Sequence, residues 1–289
     1  VKLHLLDGTY ELFRSYFGAP PRTSPDGREV GGTYGIMAST LGLLGQADVT
    51  HLAAAFDTVI ESFRNDIYPA YKTSAGIDPK LLDQFPLAEE GLRAMGVVVW
   101  SMFEFETDDA LATAAHRWAD QVDQVVVLTP DKDMAQLYGH PNVIGYERRN
   151  QKEVDELQVI EKFGVVPESI PDYLGLVGDS ADGYPGLPGW GAKSTGAILA
   201  RYGHLEDIPL EASRWDVAVR GADKLCATLR SQIGDALLYR FLATLRRDVP
   251  ITETVADLEW RGVPREPFDA FCEPYGFESL ADRVPRWAD

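Results

Sequence analysis

Nine acidic residues stand in short, punctuated motifs: Asp7 in LLDG, Asp57 in AAFD, Glu106, Asp108 and Asp109 in ETDD, Asp131 and Asp133 in TPDKD, and Asp179 and Asp182 in GDSAD. Most follow an apolar run that reads as a buried strand. Carboxylates at the carboxyl ends of strands line the crevice where open α/β sheets bind ligands. Gathered in one crevice, they repel one another unless cations lie between them. Carboxylate oxygens are hard donors, which favours Mg²⁺ or Mn²⁺. Divalent ions held this way and facing phosphate make a phosphodiester-cleaving site.

Each motif also has a plain structural reading. Asp7-Gly8 is a common turn dipeptide, and Asp57 repeats the pattern of an apolar run closed by an acid. In ETDD, Thr107 or Asp108 can cap the helix that follows, and acids suit its first turn. That accounts for one or two acids, not three in four residues. Glu106 and Asp109 are three apart and share a helical face, a spacing that gives two ligands to one ion. In TPDKD, a locally extended backbone puts Asp131 and Asp133 on one side and turns Lys132 away. The alternative there is a loop ending in a helix cap, and MAQL after it reads as helical. Asp179 and Asp182 again share one face.

A second group of residues suits phosphate. GLPGWGAKST is a glycine-rich turn opening onto a helix. Gly186, Gly189 and Gly191 let the backbone approach a ligand, and amides at a helix start bind phosphate. Lys193, Ser194 and Thr195 fit a phosphate contact. Ala192 before Lys193 breaks the Walker A frame. An irregular helix hairpin is the plain alternative. In SFRNDIYPAYK, Arg64, Tyr71 and Lys72 combine basic and aromatic groups, as phosphate contact and base stacking require. A solvated charged face explains them equally well.

These residues need a scaffold, and the chain supplies alternating signals for one. Leu3–Leu6, Leu52–Phe56, Val97–Trp100 and Val125–Leu128 read as strands. Helices are expected over Tyr10–Phe17, Thr33–Gln46, Pro79–Met95 and Asp108–Trp118. Such alternation predicts an α/β fold with a mostly parallel central sheet wrapped by helices. From residue 153 the signals turn helical: Glu153–Phe163, Pro167–Val177, and beyond Asp207 a clear stretch over 228–246. RRNQK reads as an exposed connection, so a boundary is expected near 150. GDSAD is expected to reach the same crevice as the earlier acids.

At 289 residues the chain can bury a substantial core, and its 45% apolar content is that of a globular protein. No apolar run is long enough to span a membrane, and the start lacks a signal-peptide layout. Cys226 and Cys272 lack metal-ligand spacing and suit a reducing cytoplasm. The net charge is −18, and the nine motif acids supply only half of it. A nucleic-acid protein usually carries a basic face, so this balance argues against that class unless any attraction is concentrated in local patches.

Taken together, the motifs resemble the 5′-nuclease superfamily: the 5′→3′ exonuclease domain of bacterial DNA polymerase I, phage 5′-nucleases and flap endonucleases. The similarity runs from about Leu3 to Thr195 and continues more weakly to the C-terminus. LLDGTYELFRSYF is similar to the family's opening block, which makes Asp7 a metal acid and Arg14 a phosphate-contacting arginine. FDTVIESFRNDIYPAYK is similar to the second block, with Asp57 a ligand and Lys72 at the base of an arch over about 73–95. ETDDALA matches E-x-D-D, and TPDKDMAQL matches T-G-D-K-D. LVGDSADGYPGLPGWGAKSTGAILA resembles the block ending in a helix–three-turn–helix, here about 171–203, which in relatives grips duplex DNA and a monovalent cation. All nine acidic positions are occupied. Pro130 replaces the family's glycine and removes a backbone N–H. No arginine follows Lys72, and the arch segment holds few basic residues, chiefly Lys80 and Arg93.

The resemblance implies a nuclease core over 1–150 and a helical DNA-binding region over 151–289. It implies a stand-alone, monomeric 5′→3′ exonuclease or 5′-flap endonuclease with two or more Mg²⁺ or Mn²⁺ ions and K⁺ at the helix–three-turn–helix. Its partners would be DNA 5′ ends, flaps or junctions, with no membrane. Asp57, Glu106, Asp108 and Asp109 are expected to hold the ions most directly, and Lys72 and Arg14 to steer the scissile phosphate. Two alternatives remain: a non-catalytic binder of branched DNA, motivated by the acidic charge and depleted arch, and a related nuclease acting on RNA.

Overall fold

A computed structural model of the chain describes residues 1–288. The chain forms two compact units, neither contiguous in sequence. The first comprises residues 1–62, 73–129 and the chain from Arg247 onward; the second comprises Phe63–Lys72 and Pro130–Arg246.

In the first unit, β1 (Lys2–Asp7), β2 (His51–Asp57), β3 (Val98–Met102) and β4 (Gln124–Leu128) lie in the order β3-β2-β1-β4. Every pairing among them is parallel. β1 and β2 are near-continuous apolar runs and are buried along almost their whole length, as parallel strands covered on both faces must be. The chain winds from β1 towards β2 and β3 on one side and places β4 on the other. The carboxyl end of β1 is therefore a switch point, where α/β sheets open a crevice. Asp7 closes β1 and Asp57 closes β2 at that same edge.

The expected helices are present, with informative differences at their ends. The first runs Gly8–Gly18, because Asp7 caps it by accepting from the Tyr10 amide at 2.8 Å. The second runs Gly31–Leu44. Pro79–Met95 is two helices, Pro79–Leu82 and Gln84–Ala94. Pro86 has no N–H to offer the Leu82 carbonyl, so the ladder breaks there. Leu81, Phe85, Ala88 and Leu92 from these helices are core residues, so the helical part of the segment expected to arch is packed. The chain from Arg247 returns to this unit. The Val249 amide donates to Thr113 Oγ1 at 3.2 Å, and the Trp260 amide to the Thr50 carbonyl at 2.9 Å.

The second unit is mainly helical and carries one strand pair that periodicity did not reveal. β5 (Val143–Glu147) and β6 (Lys152–Val154) are antiparallel, with RRNQ in the turn between them. Glu153 and Val154 thus belong to a strand, and the helix expected from Glu153 starts at Glu156, capped by Asp155 and Gln158. Ile170–Val177 and Ala192–Tyr202 flank the glycine-rich turn. The stretch 228–246 is likewise not one helix: Ala222–Ser231 and Ile233–Ala243 meet at Gln232, which leaves helical dihedrals at φ −124°. Among the described residues no helix is long and apolar enough to cross a membrane.

Candidate active site

The first unit holds five of the nine acids. Asp7 Oδ2 accepts from Thr129 Oγ1 at 2.8 Å, while its other oxygen caps the first helix. Gly8 is required beside it: a Cβ there would lie 2.5 Å from the Phe56 ring and 2.7 Å from the Ala55 carbonyl. Asp57 Oδ1 accepts from the Thr107 amide at 2.7 Å, and the Asp57 amide donates to Thr9 Oγ1 at 2.8 Å. Thr9 and Thr107 share a hydrogen bond of 3.0 Å between their hydroxyls. Glu106 accepts from Ser62 Oγ at 2.7 Å.

The helix after ETDD is Thr107–Trp118, and its cap is Glu106, not Thr107 or Asp108. Glu106 and Asp109 form a capping box, with the Glu106 amide donating to Asp109 Oδ2 at 3.0 Å. Asp109 is fully buried and Asp108 half-buried. Buried carboxylates need donors, and here backbone amides and Ser/Thr hydroxyls provide them. Thr9, Thr107 and Thr129 each lie within two residues of a motif acid, a signal that is present in the sequence itself.

The second unit holds the other four acids. Among the described residues, one group of three acids has ligand atoms that all lie within 4.8 Å of one another: Asp133, Asp179 and Asp182. Asp57, Glu106, Asp108 and Asp109, expected to hold the ions most directly, form no such group among the described residues. TPDKD is not extended either. Asp131 caps a 3₁₀ turn, Lys132–Leu137, by accepting from the Asp133 amide at 2.9 Å. The turn brings the Lys132 ammonium onto the Asp179 carboxylate, so Lys132 does not point away from the acids. Asp133 is buried, and its Oδ1 has no hydrogen-bond partner. Burial first, then the charges of Asp131, Asp182 and Asp179, push its carboxyl well above the usual range, with Lys132 opposing. A crowded set of hard oxygens, with Asp133 Oδ1 unpartnered, fits a divalent cation.

The residues expected to act on phosphate separate by burial. Lys72 reaches the acidic group, its ammonium 3.7 Å from Asp182 Oδ1 and its amide 2.9 Å from the Asp182 carbonyl. Arg14 is held by Glu11 at 2.5 Å and Ser39 at 3.0 Å and stays part-exposed. Arg64 is a correction. It is 1% exposed, and donates to the Leu242 carbonyl at 2.8 Å and the Thr244 carbonyl at 3.1 Å. Tyr71 and Thr195 are buried as well, and none of the three presents its side chain to a solvent-borne phosphate. Gly186 is also internal. A Cβ there would sit 2.4 Å from the Gly178 nitrogen, so this glycine serves close backbone packing.

Gly189, Gly191 and Lys193 are exposed, and Ser194 is half-buried. Gly191 begins the Ala192–Tyr202 helix without any side-chain cap, and no acid lies in the first turn. Its leading amides are thus open to an anion. Gly189, Lys193 and Ser194 line a cavity of about 730 Å³ together with Arg220 and Lys224, two cations the sequence did not single out.

Comparison with known proteins follows this geometry. Residues 2–164 match the 5′-3′ exonuclease N-terminal resolvase-like domain, and residues 165–266 the 5′-3′ exonuclease C-terminal SAM fold. DNA polymerase I of Bacillus caldotenax is 31% identical over 287 residues, covering 98% of this chain and 32% of that protein. DNA polymerase I of Rhizobium leguminosarum is 35% identical over 301 residues, covering 99% and 28%. The chain thus spans about a third of the length of the curated relatives it matches. Among solved structures, the phage T5 D15 protein co-crystallised with metal ions superposes with a TM-score of 0.69 at 16% identity, covering 98% of this chain and 99% of that one. The catalytic core of Rad2 in complex with DNA substrate gives 0.62 at 13% identity, covering 98% and 91%.

Proposed function

Because this chain belongs to the 5′-3′ exonuclease family, we propose that it is a divalent-metal-dependent 5′→3′ exonuclease and 5′-flap endonuclease that hydrolyses DNA phosphodiester bonds at 5′ ends or flap junctions in replication and repair. The observation that carries this reading is the convergence of Asp133, Asp179 and Asp182 around a buried, unpartnered Asp133 oxygen. Mg²⁺ or Mn²⁺ is the ion the donor set suits. Asp131, Asp133, Asp179 and Asp182 would hold it in the second unit, and Asp7, Asp57, Glu106, Asp108 and Asp109 are the ligands in the first. When bound, such ions lower the pKa of water to make a nucleophile and stabilise the leaving oxygen. Arg14 in the first unit and Lys72 in the second are each assigned the role of a cationic hydrogen-bond donor to phosphate. The assay is cleavage of a 5′-flapped duplex, which must require the divalent ion and stop in EDTA.

Functionally we assign the nuclease chemistry to about 1–150 together with Asp179 and Asp182, and duplex binding to the rest of about 151–289, with the helix–three-turn–helix over about 171–203 and K⁺ as its ion. The enzyme is proposed to act as a monomer. Gly189, Gly191, Lys193 and Ser194 form the phosphate-facing edge, which the open helix start and the neighbouring Arg220 and Lys224 support. Lys193→Ala is expected to weaken duplex binding and to lower the slope of log K against log salt by about 1. Single-strand affinity changes less. Unchanged duplex affinity and slope would return the turn to a purely structural role.

A further inference from the structure

Arg220 and Lys224 share a cavity with Lys193 but belong to a different element. Lys193 stands in the first turn of the Ala192–Tyr202 helix, whereas Arg220 precedes and Lys224 opens the Ala222–Ser231 helix. A buried contact ties the two elements together. Trp190 Nε1, from the glycine-rich turn, donates to the Leu225 carbonyl at 3.1 Å, and a Cβ at Gly189 would lie 3.7 Å from Leu225 Cδ2. Trp190 and Leu225 are both core residues, so the two helix starts are held at one cavity by packing.

The charge around that cavity is of one sign. Lys193, Arg220 and Lys224 are exposed, and among the described residues none of the three side chains enters an ion pair or a hydrogen bond. Other cations of this unit are neutralised: Arg201 by Asp216 at 2.5 Å, and Arg240 by Asp172 at 3.0 Å and Glu206 at 2.6 Å. No acid lines the cavity, and Asp223, beside Lys224 in the helix, is exposed and outside the lining. Both helices begin at a glycine without a side-chain cap, and each places a lysine in its first turn, where the helix dipole disfavours a cation. Three such charges around one space repel one another until an anion lies among them.

The lining also sets the chemistry of the occupant. Cations and the Ser194 hydroxyl match phosphate oxygens. The remaining lining is glycine, alanine, valine and leucine, with no carboxamide or carboxylate to pair with a base edge. A volume of about 730 Å³ is that of a pocket for a drug-sized ligand, so there is room for more than one phosphate group of a strand.

We propose that Arg220 and Lys224 are sequence-independent contacts to the DNA backbone that seat a further stretch of the strand held by Lys193, an inference that rests on the duplex-facing reading of the glycine-rich turn.

The test is fluorescence anisotropy of labelled 5′-flapped duplex and single strand over a range of KCl concentrations, in EDTA so that cleavage does not intervene. The proteins are the wild type, Lys193→Ala, the pair Arg220→Ala with Lys224→Ala, and the charge-retaining pair Arg220→Lys with Lys224→Arg. The alanine pair is expected to lower the slope of log K against log salt by about 2, equally on two duplexes of unrelated sequence. Single-strand binding changes less. The charge-retaining pair keeps the wild-type slope. Both positions are exposed, so the alanine pair should unfold at the wild-type temperature. A wild-type slope in the alanine pair beside a reduced slope in Lys193→Ala would overturn the proposal and leave the reading of the turn intact. A loss confined to one DNA sequence would also overturn it. A wild-type slope in Lys193→Ala would overturn the reading of the turn itself. Calorimetric titration with inorganic phosphate separates the other source of the same chemistry: a binding event lost in the alanine pair, with an unchanged DNA slope, would make the cavity a free-anion site instead.

Discussion

Replacing Asp133 by asparagine is expected to lower cleavage of a 5′-flapped duplex by about two orders of magnitude or more while leaving the metal-free fold as stable as the wild type or more so. The two effects have one cause. Burial first, and then the charges of Asp131, Asp182 and Asp179, hold the folded Asp133 carboxyl above the ordinary 3.8. A carboxyl with a raised folded pKa lends stability below its unfolded value and loses it as pH rises through the folded one. The metal-free wild type is therefore penalised at neutral pH, and asparagine removes the penalty. The stability gain should be largest at neutral and alkaline pH and vanish in acid. A divalent cation relieves the same repulsion, so saturating Mg²⁺ should narrow or reverse the difference between the two proteins. Cleavage rates in Mg²⁺ and unfolding curves in EDTA across pH measure both. Wild-type cleavage by Asp133→Asn would remove Asp133 from the metal site.

Arg64→Leu is expected to destabilise the second unit by about 1–3 kcal/mol for each carbonyl that loses its charged donor. The guanidinium joins the short Phe63–Ile67 helix to the end of the Ile233–Ala243 helix through two carbonyls, and packs 4.6 Å from the Phe63 ring. Leucine keeps some volume but leaves both carbonyls without that donor. Thermal and urea unfolding should show the loss, with no change in the salt dependence of DNA binding by protein that remains folded. A stable variant with a shallower salt slope would put Arg64 back among the phosphate contacts.

Arg64 also shows where sequence reading reaches its limit. In SFRNDIYPAYK it has the look of a surface cation, and the carbonyls that bury it come from Leu242 and Thr244, far along the chain. No local pattern announces such a partner. Tyr71 and Thr195 share that difficulty, because a polar residue's burial depends on what folds over it. The acids were legible for the opposite reason. Asp7 and Asp57 close apolar strands, and Glu106, Asp108, Asp109, Asp131 and Asp133 stand at helix starts, so their places follow from local signals; Asp179 and Asp182 lie in the loop after the Ile170–Val177 helix. What spacing left open was their partners. Glu106 and Asp109 turn to each other's backbone, whereas Asp133, Asp179 and Asp182 turn towards one another. β5 and β6 were missed because β6 is three mostly polar residues whose pairing is set by β5. The return of the chain from Arg247 to the first unit rests on distant contacts that periodicity does not encode.

The central claim is that this chain cuts DNA at 5′ ends or flap junctions with divalent metal. The direct measurement presents labelled 5′-flap duplex, blunt duplex and single strand in parallel, each with Mg²⁺, Mn²⁺ or EDTA. The account predicts products from the 5′ end or the flap junction in Mg²⁺ or Mn²⁺, faster turnover of the flap than of the single strand, and none in EDTA. Tight binding to the flap without cleavage in either metal would contradict it in favour of a non-catalytic branched-DNA binder, and undiminished cleavage in EDTA would contradict its chemistry.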